Sequence, residues 1–329
     1  MATEKSSITG ETVSGFARVQ AALRGERPDR APKGELMLPP TLASEITGRR
    51  ACEPEEGGAA PDWQVMEEAL ICLGADMIAV PAADPSPWQE WCQELAYWAG
   101  RQFFVWALVD GLFQGLATSL GWSPVLVAFG RCGRGYYGEA AELPGWLLLQ
   151  MDRILAQVHQ ALQAGADGVL LGEDVAYSSG LLLPPQVIAR ELAPRWREVV
   201  FAVKAQRTCR GQVPLVGFHS DGMLEPLLGL LQASGFEVIH SLEPEAGMEA
   251  ARLVPAWRGR LGFMGGFSVS VLVQGPETAI REEAQRLATV ALDGGLVVGS
   301  SAGVVPASVP ARRLMVAYQA IAEAARAGR

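Results

Sequence analysis

The sequence predicts a single-domain α/β protein, a (β/α)8 (TIM) barrel. Eight short apolar runs of strand length occur along the chain, and segments with helical patterning separate them. The length of 329 residues fits one barrel of this kind. A doubly wound open sheet is the alternative, but none of these strands is followed by the glycine-rich turn G-x-G-x-x-G or G-x-x-x-x-G-K-S/T that binds phosphates in nucleotide-binding sheets.

Turn residues and helix caps set the boundaries of the predicted elements. Asp62, for example, is placed to cap a helix that Gly74 ends. Residues 1–14 are expected to form a mobile N-terminus, and residues 15–329 the barrel. The predicted strands are APKGELML (31–38), ADMIAVP (75–81), QFFVWALVD (102–110), ADGVLLGED (166–174), PLVGFHSD (214–221), FEVIHSLEP (236–244), LGFMGGF (261–267) and GLVVGSSAG (295–303).

Composition and charge exclude several classes of function. The chain is 49% hydrophobic, which is ample for a large core, and its net charge of −9 argues against binding a nucleic acid backbone. No run of 18 apolar residues occurs, so no membrane association is predicted and a cytoplasmic location is expected. The five cysteines lack the spacing of metal ligands and are interpreted as reduced structural thiols.

Polar side chains follow the apolar body of most predicted strands. In a parallel barrel all the carboxyl ends of the strands open on one face, so these side chains become neighbours. The pattern predicts an acidic pocket around one imidazole, with the exit residues Glu35, Asp84, Asp110, Glu173, Asp174, His219, Asp221, Glu243, Ser300 and Ser301.

Two groups among these exit residues carry the expectation of catalysis. Glu173 and Asp174 are adjacent carboxylates at the end of an apolar strand, where they would repel each other unless a cation, a base or a ligand meets them. His219 also stands at a strand exit, two residues before Asp221. We interpret all four as catalytic candidates and assign Glu35, Asp110 and Glu243 to substrate binding.

Purely structural roles are open for several of these residues. Asp110 and Asp221 each precede a helix that they could cap, and Glu243 could accept a hydrogen bond in a turn. His240 is expected to point into the helix layer or the barrel core. Trp88 and Trp91 fall in a predicted loop near the open face, where they would line an apolar substrate pocket.

Several longer segments together resemble the uroporphyrinogen decarboxylase superfamily. The resemblance extends from about Gly15 to Ala325, and the superfamily is a (β/α)8 barrel. Its two known chemistries are cofactor-free decarboxylation of uroporphyrinogen and methyl transfer involving a corrinoid on a separate protein. The segments are RGERPDRAPKGE, LGADMIAVP, ADGVLLGEDVAYSSGLLLPPQVIARELAP, GFHSDGMLEPLLGLLQASGFEVIHSLEPEAGMEAARLV, GFMGGFSVSVLVQGPETA and SSAGVVPASVP.

The chain departs from two branches of that superfamily. Decarboxylases carry Arg-Gln-Ala-Gly-Arg after the first strand, whereas this chain has Gly-Glu-Leu-Met-Leu at residues 34–38. Methyltransferases that serve coenzyme M hold zinc with His-x-Cys and a later Cys. His219 matches the first ligand, but Asp221 and Ala302 stand where the two thiolates would be.

The His-Ser-Asp-Gly form resembles the branch that demethylates methoxylated aromatics or methylated amines. This resemblance implies methyl transfer from a small O-methyl or N-methyl donor to the Co(I) corrinoid of a partner protein, and a homodimer is expected from the family. His219, Glu173 and Asp221 would be the metal ligands, since one imidazole and carboxylate oxygens still accept Zn²⁺. Protonation of the leaving group by an acid is the metal-free alternative. Decarboxylation of another acid and a non-catalytic binding role also stay open.

Overall fold

A curled parallel sheet forms the centre of the fold. The computed structural model describes residues 13–49, 62–82, 88–133 and 142–327. Seven strands pair in the order β1-β2-β3-β6-β7-β8-β9, and β4 and β5 form a separate antiparallel hairpin. The strands are β1 (Met77–Pro81), β2 (Phe104–Asp110), β3 (Gly168–Gly172), β4 (Ala176–Tyr177), β5 (Gly180–Leu181), β6 (Leu215–His219), β7 (Val238–Leu242), β8 (Gly262–Phe267) and β9 (Leu296–Ser300).

The segment 32–37 closes this sheet into a barrel. On one side Lys33 and Met37 form parallel bridges to Val298 and Val304. On the other side the amides of Asp76 and Ala79 donate to the carbonyls of Lys33 and Leu36, at 2.7 and 3.3 Å. The predicted strand 31–38 is therefore present as an irregular eighth member, and the predicted TIM barrel is confirmed.

Helices surround the barrel on its outer side. They are α1 (Gly15–Leu23), α2 (Pro40–Thr47), α3 (Trp63–Leu73), α4 (Trp88–Ala99), α5 (Leu112–Leu120), α6 (Trp122–Gly133), α7 (Leu143–Ala164), α8 (Pro185–Val187), α9 (Ala193–Lys204), α10 (Leu228–Ala233), α11 (Ala250–Trp257), α12 (Val269–Gln274), α13 (Glu277–Leu292) and α14 (Ala311–Ala327). None of the helices in the described part of the chain is both long and apolar enough to cross a membrane.

Two helical regions differ in detail from the sequence pattern. The helix predicted to kink near Pro194 contains a π-helical turn, Ile188–Leu192, just before that proline. A proline has no amide hydrogen to donate, so the widened turn accommodates the missing bond. The helix predicted directly after Asp221 begins later, with a short 3₁₀ turn at Glu225–Leu227 that continues into α10.

Side chains alternate between two cores along each strand. The outward-facing side chains pack against the helices, and the inward-facing side chains fill the barrel interior. Helix α1 closes the N-terminal end of the interior with Val19 and Leu23. Gly262 permits this closure, because a Cβ there would lie 2.5 Å from the carbonyl oxygen of Leu23. The inward-facing strand residues include Leu36, Met77, Ala79, Trp106, Leu170, Leu215, Val238, Met264 and Val297.

A buried ion-pair network fixes the N-terminal side of the barrel. Asp76 precedes β1 and is 1% exposed. Its carboxylate accepts hydrogen bonds from Arg18 at 2.6 Å, from Arg30 at 2.6 and 2.8 Å, and from the amide of Lys33 at 3.1 Å. These contacts give the early RPDR segment a structural role at the end of the barrel opposite the strand exits.

The predicted mobile N-terminus, residues 1–14, lies almost entirely outside the described residues, as does the exit residue Asp84. The assignment of residues 15–329 to one domain stays a prediction.

Candidate active site

His219 lies at the open end of the barrel interior. It is the last residue of β6 and follows the inward-facing Leu215 at an even spacing, so its ring also points inward. The side chain is 8% exposed. The loop after β9 passes over the ring, because a Cβ on Gly303 would lie 3.2 Å from His219 Nε2. Glycine at this position leaves room for the imidazole.

Two carboxylates approach the same ring. Asp174 follows β3, and its Oδ1 lies 3.7 Å from His219 Nε2. Asp174 has a φ of 40°, a backbone conformation that few residues other than glycine adopt and that aspartate tolerates. The amide of Asp221 donates to Asp174 Oδ1 at 3.3 Å, and Ser241 Oγ donates to Asp221 Oδ1 at 3.2 Å. The exits of three strands thus contribute to one cluster.

Asp174, His219 and Asp221 fit the ligand requirements of a divalent cation. One potential ligand atom from each lies within 4.8 Å of the other two. Bond lengths of about 2.0–2.2 Å to zinc place neighbouring tetrahedral ligands roughly 3.3–3.6 Å apart. The 3.7 Å between His219 and Asp174 is close to that separation. Three protein ligands also leave a fourth position for substrate, as in catalytic zinc sites.

The electrostatics of the cluster favour a positive ion. The pKa of Asp221 is raised because the surrounding protein displaces water from the carboxyl; His219 opposes this shift and the carboxylate of Asp174 adds to it. Two carboxylates in one small site repel each other, and a bound cation would stabilise the charged form of both.

His240, expected to point into the helix layer or the barrel core, lies in the barrel interior and contacts His219. Its Nδ1 lies 2.8 Å from His219 Nδ1, and its ring is 1% exposed. Burial lowers its pKa well below the usual value, and His219 lowers it further, so His240 is uncharged at neutral pH. The two residues are register partners in adjacent strands. Side chains at paired positions of neighbouring parallel strands point to the same side of the sheet. Since His219 and His240 are such a pair and both point inward, the strand pairing predicts their contact.

Glu173 occupies a different environment from Asp174, which corrects the expectation that both members of the pair meet His219. Its side chain is fully buried on the outer side of the barrel. The carboxylate accepts from the amides of Leu112 and Phe113, at 3.0 and 2.7 Å, and from Trp196 Nε1 at 2.5 Å. Burial raises the pKa of Glu173 to about 7, against these hydrogen bonds. Glu173 therefore caps α5 and lies outside the cluster formed by Asp174, His219 and Asp221.

Glu35 and Asp110 also point toward the helix layer. The Glu35 carboxylate accepts from the amide and hydroxyl of Ser300, at 2.9 and 2.5 Å, and from Tyr318 Oη at 2.8 Å. Burial raises its pKa. Asp110 accepts from Thr118 Oγ1 on α5 at 3.2 Å. Glu35 therefore bonds to β9 and α14, and Asp110 contacts α5.

Glu243 and the two tryptophans have different placements. Glu243 accepts from the amide of Gly222 at 2.7 Å, which places it beside the Asp221 loop. Trp91 is buried and donates from Nε1 to the carbonyl of Val80 at 3.2 Å, so it belongs to the core. Trp88 is 39% exposed at the start of α4, on the outside of the barrel. The expected loop position of both tryptophans is therefore corrected to a helix.

Comparison with known proteins gives one family match and several similar folds. The model of the uroporphyrinogen decarboxylase (URO-D) family matches residues 137–323, more than half of the chain. No curated protein matches the sequence.

Similar solved structures include a methyltransferase from Methanosarcina mazei, with a TM-score of 0.62, 16% identity and coverage of 95% of this chain and 99% of that chain. A putative vitamin-B12 independent methionine synthase from Listeria monocytogenes has a TM-score of 0.51 and 11% identity, covering 89% and 97%. A fungal β-1,4-galactanase has a TM-score of 0.50 and 12% identity, covering 88% and 99%. At sequence identities of 11–16%, the similarity to these structures shows a shared fold alone.

Proposed function

Since the chain belongs to the uroporphyrinogen decarboxylase family, we propose that it is a methyltransferase of that family, which moves a methyl group from a small O-methyl or N-methyl donor to the Co(I) corrinoid of a partner protein. The observation that carries this proposal is the convergence of His219, Asp174 and Asp221 at the barrel mouth. A corrinoid protein is the proposed partner, and homodimerisation is proposed from the family resemblance.

The charge of the cluster supports methyl transfer over decarboxylation of uroporphyrinogen. A substrate with many carboxylates needs cationic side chains, and the segment 34–38 offers none. Its one charged residue, Glu35, bonds to Ser300 and Tyr318. The cluster at His219 adds two further carboxylates. A neutral or cationic methyl donor suits this environment better.

The reaction requires activation of the heteroatom that carries the methyl group. The methyl carbon moves to the corrinoid, its bond to the heteroatom breaks, and the electron pair stays on the heteroatom, which finally takes up a proton. Asp174, His219 and Asp221 would hold a divalent cation, which when bound supplies Lewis-acid chemistry to the leaving heteroatom. The ring of His219 is buried, whereas Asp174 and Asp221 lie at the open mouth, where a substrate would enter.

His240 has a positioning role in this proposal. A single proton can lie between His219 Nδ1 and His240 Nδ1. If His219 carries it, the lone pair of His219 Nε2 is free to face Asp174 and a cation. Because His240 is uncharged, its Nδ1 can accept the hydrogen bond that His219 Nδ1 donates. This hydrogen bond favours the tautomer of His219 in which Nε2 carries no proton and can bind a metal.

We expect His240→Phe to weaken Zn²⁺ binding by about 10–100-fold, because His219 loses the acceptor that fixes its tautomer. Competition with a chromophoric chelator measures this affinity. His240→Asn, which keeps an acceptor near the position of Nδ1, should restore most of it, and His159→Phe on the exposed face of α7 is the matched control. Unchanged affinity in His240→Phe would remove this role.

Methyl transfer itself can be measured by absorbance. The protein is mixed with cob(I)alamin or a reduced corrinoid protein and a panel of methoxyaromatics and methylamines. We expect the Co(I) band to be replaced by that of the methylated corrinoid with at least one donor. Release of carbon dioxide from an acid without any corrinoid would favour decarboxylation, and no change with every donor would contradict the proposal.

A further inference from the structure

Glu243 lies directly after β7, beside the Asp221 loop (residues 220–223). Its Oε2 accepts a hydrogen bond of 2.7 Å from the amide of Gly222, the neighbour of Asp221 in the chain. Among the described residues, the group of possible cation ligands consists of Asp174, His219 and Asp221, so Glu243 is outside this group. Glu243 therefore contacts the backbone next to a ligand without being a ligand itself.

A second contact holds the same loop from another strand exit. The carbonyl of Tyr177, in β4, accepts from the amide of Met223 at 2.9 Å. Gly222 has a φ of 87°, and a Cβ on this residue would lie 2.5 Å from the same carbonyl oxygen. Only glycine lets the loop pass this close to the hairpin. The Asp221 loop is thus held between the β4–β5 hairpin and the carboxylate of Glu243.

The side chain of Asp221 has little support of its own. Ser241 Oγ donates to its Oδ1 at 3.2 Å, and this is the only hydrogen bond of that carboxylate among the described residues. Asp221 is also exposed at the mouth, where an aspartate side chain has several rotamers available. The distance of its carboxylate from His219 is therefore set mainly by the backbone of the loop, which Glu243 holds.

The charge of Glu243 acts on the same residue. Burial raises the pKa of Glu243; the hydrogen bond from Gly222 opposes this shift, and the carboxylates of Asp221 and Glu245 add to it. Glu243 and Asp221 therefore repel each other, and a cation bound by Asp221 would relieve this repulsion. Glu243 can support a cation in two ways, by its hydrogen bond and by its charge, and the two are separable by substitution.

We propose that Glu243 is a positioning residue, which holds the Asp221 loop through the amide of Gly222 where Asp221 can join the cation site. This role rests on the proposed cation binding by Asp174, His219 and Asp221. Hydrogen bonds one step outside a ligand set orient the ligands, and losing one typically weakens metal binding by about 10–100-fold.

The Zn²⁺ affinity of the full chain, measured by competition with a chromophoric chelator, tests this role without any corrinoid. Glu243→Ala removes both the acceptor and the charge and should weaken binding about 10–100-fold. Glu243→Gln keeps an acceptor oxygen for the amide of Gly222 and should stay within about fivefold of wild type. If Glu243→Gln lost as much affinity as Glu243→Ala, the charge would be responsible and the positioning role would be wrong.

Glu225→Gln is the matched control for these variants. This carboxylate lies on the same segment after β6, but it bonds to Arg252 on the surface. Its neutralisation should leave the Zn²⁺ affinity within about twofold of wild type. Circular dichroism and urea denaturation check that each variant is folded.

A double-mutant cycle with Asp221→Asn measures whether Glu243 acts through Asp221. In the Asp221→Asn background, Glu243→Ala should change the residual Zn²⁺ affinity by less than about twofold, because the ligand to be positioned is gone. Equal losses in both backgrounds, or unaltered binding in Glu243→Ala alone, would overturn the role of Glu243 and leave the cation site standing. A wild-type protein that binds no Zn²⁺ would instead contradict the cation site, and this role with it.

Discussion

His219→Ala is expected to reduce methyl transfer by at least about a thousandfold while the barrel stays folded. The substitution removes the only nitrogen ligand of the His219–Asp174–Asp221 set, and with it the group that would activate the leaving heteroatom. The initial rate of corrinoid methylation measures the effect, and circular dichroism checks the fold.

A second histidine provides the control for this variant. His159 lies on the exposed side of α7 and contacts Gln206 at 3.2 Å, so His159→Ala should retain the wild-type rate. Because His219→Ala also leaves His240 without its partner, a loss of about 1–3 kcal/mol in the free energy of unfolding is expected. A folded His219→Ala protein with full activity would remove His219 from the mechanism.

The adjacent residues Glu173 and Asp174 should respond oppositely to neutralisation. Glu173→Gln disturbs a buried carboxylate that accepts three hydrogen bonds, so we expect the free energy of unfolding to fall by about 1–3 kcal/mol. Its transfer rate should stay within about threefold of wild type, since the side chain does not reach the cluster. Urea denaturation and the transfer assay measure the two quantities.

Asp174→Asn should show the reverse result. Asp174 is half-buried at the barrel mouth, and its Oδ1 faces His219 Nε2. We expect its stability to change by less than about 1 kcal/mol and its transfer rate to fall by about a hundredfold or more. If instead Glu173→Gln lost activity without losing stability, Glu173 would have to be assigned to the active site.

The strand pattern predicts the barrel and its open face, but the orientation of a side chain requires its phase within the strand. Leu170 and Gly172 point inward, so the next residue, Glu173, points outward and Asp174 can return to the mouth. The same alternation directs Glu35 outward, because Leu36 faces the interior. Two adjacent carboxylates on an extended segment cannot both face one cavity.

Other features depend on contacts between distant segments. The pairing of His219 with His240 follows from the register of β6 and β7, and this register is fixed by packing across the whole sheet. The prolines before Trp91 favour a loop, yet this residue lies in a helix that buries its ring. The approach of Gly303 to His219 likewise depends on the path of a loop whose sequence carries no spacing signal.

We propose that Asp174, His219 and Asp221 bind one divalent cation at the mouth of the barrel. Titration of the chelator-treated protein with Zn²⁺ tests this site most directly, with binding measured by calorimetry and the bound metal quantified after gel filtration. We expect one Zn²⁺ per chain in the wild type and in Glu173→Gln, and loss of this site in His219→Ala and Asp174→Asn. Absence of bound metal in the wild type, or equal metal retention by wild type and His219→Ala, would contradict a cation site formed by these three residues.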